Sequence, residues 1–169
     1  MTEKKSAAHT MTMPADREVL ITREFDAPRE LVFQAWTDPA HLTRWYAPSG
    51  CSIEFRKIDV RPGGTFHSCI RTPDGHHCWC IGTYREVVAP ERIVQTMVIS
   101  DENGNSVEPT DAGMDPAWPR ETILTVTFVE QEGRTKLTLR QTVGEELAKR
   151  TGAYPSWLNM LDRLAEELK

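Results

Sequence analysis

The stretch 154–168 constrains the fold most, because it is helical in pattern and follows a middle region that reads almost wholly as strands. Tyr154, Trp157, Leu158, Leu161, Leu164, Ala165 and Leu168 recur at helical spacing, while Asp162, Arg163, Glu166 and Glu167 turn away. So wide an apolar stripe must be buried against something, and the concave face of a curved antiparallel sheet is the surface this chain has to offer. A large sheet holding one long helix leaves a hollow between them. The expected class is α+β, with room for an apolar guest.

The remaining pattern supplies that sheet. Alternation over 19–26 predicts a first strand, and Pro28 fits the opening turn of a short helix to about Trp36, with Leu31, Val32, Ala35 and Trp36 on its apolar face. Asp38-Pro39 punctuates the chain before a second short helix over 41–46. Six strands are then expected at about 51–61, 65–71, 77–88, 92–100, 121–131 and 135–143. Their separators are turn chemistry such as Pro62-Gly63-Gly64, Pro73-Asp74-Gly75 and Ala89-Pro90-Glu91. Only 101–119 breaks the rhythm, at a length typical of lids and binding loops. The order is strand, two short helices, six strands, long helix, in one domain over 18–169 preceded by an arm over 1–17 without periodicity.

Charge narrows the partners. Twenty basic residues against 25 acidic ones give a net charge of −5, without a basic run of the nucleic-acid type. No apolar run approaches the ~20 residues needed to span a bilayer, so membrane insertion is not expected. The start of the chain lacks the apolar middle of a secretory signal, which predicts a cytoplasmic protein whose four cysteines are reduced. A homodimer is compatible with these features.

Cysteine and histidine crowd together over 65–80. If Asp74-Gly75 forms a two-residue turn, Cys69 faces Cys80, and His67, Cys69, Cys78 and Cys80 share one side of the hairpin. Three readings follow: ordinary packing or cavity lining, a redox-sensitive pair, or a metal site built from thiolate and imidazole. Cys78 and Cys80 on an extended strand lack the tight turn of structural zinc sites, which favours packing. A one-residue slip would exchange the faces. Catalytic signatures are absent, so no catalytic residue, metal or cofactor is expected, although His67, Asp59 and Glu86 are candidates for acid–base work. Glu86 is equally suited to pairing with an arginine on a neighbouring strand.

Particular residues carry a family resemblance: Arg23 to Pro28, Val32 to Pro39, Trp45 and Pro48, Arg61 to Gly64, Gly82 to Val87, Pro90 to Ile93, and Trp157-Leu158 before Leu161 to Leu164. In this order they resemble the START-related helix-grip (SRPBCC) superfamily, in its AHSA-like branch named after activators of the heat-shock chaperone ATPase. The resemblance implies a curved antiparallel sheet wrapped around the C-terminal helix, and a choice among the functions this fold hosts. A small apolar or aromatic ligand held between helix and sheet is the favoured expectation. A polyketide-cyclase or hydrolase-like enzyme in the same cavity, and a co-chaperone stimulating a heat-shock ATPase, are the alternatives. The residues expected to line or gate the cavity, drawn from both strand faces, are Trp45, Phe55, His67, Cys69, Trp79, Met97, Trp118, Phe128, Trp157 and Met160.

Overall fold

The computed structural model describes residues 17–169, so the expected arm over 1–17 lies outside it except for Arg17. Alternation builds β1 (Val19–Phe25), with Val19, Ile21 and Phe25 buried and Leu20, Thr22 and Glu24 exposed. Pro28 at φ −65° caps α1 (Arg29–Thr37), which buries Val32, Phe33, Ala35 and Trp36. Asp38 ends α1 by donating its N–H to Gln34 O, and starts α2 (Pro39–Trp45) by accepting the Ala40 N–H at 2.9 Å.

Six further strands follow: β2 (Ser52–Ile58), β3 (Thr65–Arg71), β4 (His77–Val88), β5 (Arg92–Ile99), β6 (Glu121–Gln131) and β7 (Arg134–Gln141). With β1 they form one sheet ordered β1-β7-β6-β5-β4-β3-β2, antiparallel at every pairing. The register shifts between Phe55 and Lys57 on β2 and between Tyr84 and Glu86 on β4. Such bulges bend a sheet and increase its twist, here on the β2–β5 side.

Two helices complete the chain, where the sequence pattern predicts one. The additional α3 (Glu145–Thr151) is a single charged piece with Glu145 and Lys149 paired at 2.7 Å, and the chain turns at Gly152 into α4 (Ala153–Glu167). Helix α4 buries Trp157, Met160, Leu161 and Leu164, whereas Leu158 points out and is 40% exposed. The inward set follows i, i+3, i+4, i+7 from Trp157, one position away from Leu158. The Arg163 guanidinium donates to the carbonyls of Arg44, Ala47 and Pro48, tying α4 to the end of α2.

Residues 101–120 stay close to the sheet. Val107 N–H donates to Ile99 O, Pro109–Ala112 makes one 3₁₀ turn, and Trp118 tucks into the core. Among the described residues no helix is long and apolar enough to cross a membrane.

Candidate functional site

The pleat divides each strand into an inner and an outer set. On the β2–β5 side the inner set is Ile53, Phe55 and Ile58; Phe66, Ser68 and Ile70; Cys78, Cys80, Gly82 and Tyr84; and Ile93, Gln95, Met97 and Ile99. Phe66, Tyr84 and Ile93 belong to the closed core, yet Phe55, Ile70, Cys80, Met97 and Ile99 are only half-buried and Cys78 is exposed. The helices explain the difference. Helix α1 packs on β6 and β7, α4 on β1 and α2, and α2 reaches β2 at the far edge. Between them the inner floor of β2–β5 is left incompletely covered.

Polar groups punctuate this interior. Trp157 Nε1 donates to Gln141 Oε1 at 2.8 Å, and Gln141 Nε2 donates to Thr122 Oγ1 at 3.0 Å, a buried chain that locks the indole between helix and sheet. Tyr46, at the end of α2, stands edge-on to Trp45, Trp36 and Trp157 with ring centroids 5.2, 5.7 and 5.9 Å away. Burial pushes its phenol well above the ordinary range, and the nearby Tyr84 and Cys80 push it further. Burial likewise raises Tyr84, and moves the Cys80 thiol from 9.0 to about 12. All three are therefore neutral at physiological pH.

The expected lining residues divide into three groups. Phe55, Met97, Trp118, Trp157 and Met160 belong to the inner side. Trp45 and Phe128 are inner too, but at 0% and 1% exposure they are sealed packing, and Trp45 Nε1 is spent on Ala35 O at 2.9 Å. His67, Cys69 and Trp79 lie on the outer face, away from α4. Sequence reasoning missed Tyr46, Tyr84 and Gln141, and named Cys80 only within the cysteine–histidine cluster. Gln141 had a visible signal, as a polar residue on the inward phase of Leu137 and Leu139.

The hairpin turn accounts for the misplaced cluster. Thr72 N–H donates to His76 O and Gly75 N–H to Thr72 O, so the loop is Pro73-Asp74-Gly75, three residues rather than two, with Gly75 at φ 88°. A β-turn followed by a left-handed glycine is the usual three-residue hairpin. It slips the register by one: Cys69 faces Trp79, and Cys78 faces Ile70. Cys69 consequently points outward while Cys78 and Cys80 point inward, so the four donors do not share one face.

On the outer face, His67 and Trp79 form a seat for the 101–105 turn. Their rings are 5.1 Å apart, and His67 Nε2 lies 3.3 Å from Asp101 O. Arg56, at the β2 bulge, lies 4.6 Å from the Trp79 ring centroid and donates to Glu102 O at 2.7 Å. Open grooves of about 390 and 560 Å³ flank this strap, one along Lys57, Thr65, His67 and Ile81, the other along His77, Trp79 and Asp101. The remaining acid–base candidates are occupied elsewhere: Glu86 accepts from Arg92 at 2.6 and 2.9 Å, and Asp59 from Arg61 at 2.7 Å. Together with outward His67, they do not converge.

Comparison with known proteins agrees with this architecture. No curated protein matches the chain in sequence. A solved protein from Chromobacterium violaceum is 25% identical, with 92% of this chain and 98% of that one covered at a TM-score of 0.75. One from Mycobacterium smegmatis shares 21% identity over 93% of both chains at 0.77. An AHSA1 protein from Silicibacter pomeroyi shares 22% identity over 89% of this chain and 96% of its own at 0.70. The family described as "Activator of Hsp90 ATPase homolog 1-like protein" matches residues 26–169, from the end of β1 through α4, and the chain belongs to that family.

Proposed function

We propose that the protein binds a small, flat, largely apolar molecule in the cleft between α4 and the inner face of β2–β5. The supporting observation is the incomplete cover of that floor. Phe55, Ile70, Cys80, Met97 and Ile99 are half-buried, although the same inner phase on β6 and β7 is sealed. Apolar surface held open inside a concave fold is what a guest molecule would cover, at about 25 cal/mol per Å² removed from water. Binding without chemistry is preferred to a cyclase or hydrolase because Glu86, Asp59 and His67 are turned to separate surface positions. The co-chaperone reading has the family's description as its support.

Native mass spectrometry of freshly purified protein tests the proposal. A retained small organic mass that is lost in Met97→Trp, which fills the floor, is the expected result. A mass retained equally by the folded variant would place the ligand elsewhere.

A further inference from the structure

The hydroxyl of Tyr46 is shut off from solvent and has no hydrogen-bond partner among the described residues. Phenylalanine would keep the ring and its three edge-on tryptophan contacts while removing the stranded oxygen, so packing alone gives no reason for a tyrosine. Trp36 Nε1, in the adjacent ring, is also unpaired, so two donors of one aromatic cluster await a partner. The cluster reaches the inner floor through Trp157, whose ring is 5.9 Å from Tyr46 and whose indole N–H donates to Gln141, itself 4.0 Å from Met97 Sδ.

We propose that Tyr46 Oη is a recognition group, and that the molecule held in the cleft carries a carbonyl-type oxygen on its flat apolar body to accept the Tyr46 hydrogen bond. This rests on the ligand-binding reading above. A neutral phenol can donate to an uncharged carbonyl, which brings no donor of its own to be stranded. An anionic oxygen would be penalised by the same burial that keeps the phenol protonated. Because the hydroxyl is sealed, a neighbouring side chain must give way as the acceptor arrives. Met97, half-buried with Sδ 4.0 Å from Gln141 Nε2, the partner of the Trp157 indole beside Tyr46, is unbranched and adaptable.

The test compares 9-fluorenone with fluorene, the same ring system without the carbonyl, by equilibrium dialysis against the wild-type protein and Tyr46→Phe. Ligand-free melting temperatures are measured alongside. The wild type is expected to prefer the ketone by about tenfold, the worth of one good hydrogen bond. Tyr46→Phe is expected to bind both probes with the wild-type affinity for fluorene, and to melt no lower than wild type. Equal binding of the two probes by the wild type, or an undiminished preference in Tyr46→Phe, overturns the role of the hydroxyl and leaves the cleft intact. A lower melting temperature for Tyr46→Phe also overturns it, because the oxygen would then be bonded in the free protein. Binding of neither probe defeats the cleft itself.

Discussion

The two halves of the inner face are built from the same alternation and end in opposite states. On β1, β6 and β7 the inward residues Val19, Leu124, Val126, Phe128, Leu137 and Leu139 are at most 1% exposed, because helices lie on them. On β2–β5 the equally apolar Phe55, Ile70, Met97 and Ile99 are half-buried. Strand pattern decides which side chains face inward, but only the helices opposite decide whether they become core. The packed half is where stability resides, and the open half is where a guest can be held.

That contrast breaks if substitutions in the two halves cost the same. Leu139→Ala, in the sealed half, is expected to destabilise by about 2–5 kcal/mol in urea unfolding, transfer and cavity terms together. Gly82→Ala probes the seam, since a Cβ there would come within 1.9 Å of Thr96 O and 2.5 Å of the Phe66 ring. A loss of about 1–3 kcal/mol is expected, with the β4–β5 amides losing hydrogen-exchange protection. Met97→Ala, in the open half, should cost less, about 1–2 kcal/mol, because part of its side chain still faces water and less burial is lost than at a sealed position. A Met97→Ala loss equal to that of Leu139→Ala would mean the floor is core.

Alkali sharpens the comparison further, because Tyr46, Tyr84 and Cys80 lie on the β2–β5 side of the interior. The unfolded chain releases the Cys80 proton near 9.0 and the folded protein near 12, so between these values the unfolded state binds fewer protons. Stability should be unaffected by this group below pH 9 and should decline as pH rises towards 12. The phenols add to the decline above their ordinary values. Urea midpoints at pH 8 and 10.5 measure this, and Cys80→Ala should shallow the slope. The smallest effect belongs to the exposed Arg92–Glu86 pair, where Arg92→Ala should cost less than about 1 kcal/mol.

Much of this was legible beforehand. Alternation marks all seven strands, and Pro28 and Asp38-Pro39 mark the first two helices, because these signals are local. What failed depended on one residue of spacing. Pro73-Asp74-Gly75 reads as a two- or a three-residue turn, and that choice put Trp79 on the face of His67 and Cys69 and sent Cys78 and Cys80 to the opposite one. Helix α3 has too few apolar residues, chiefly Leu147 and Ala148, to announce itself before Gly152. Tyr46 has no pattern at all, since its isolation comes from Trp36, Trp45, Trp157 and Tyr84, which are brought together only by folding.

Amide and methyl chemical-shift mapping with fluorene separates the inner side from the outer grooves, because the two share strands but present different side chains. Binding on the inner side perturbs Ile70, Cys80, Met97 and Ile99 and the Trp157 indole, with His67, Ile81 and Val98 unmoved. Shifts concentrated on His67, Trp79, Ile81 and the 101–105 turn would contradict it and move the binding site to the outer face.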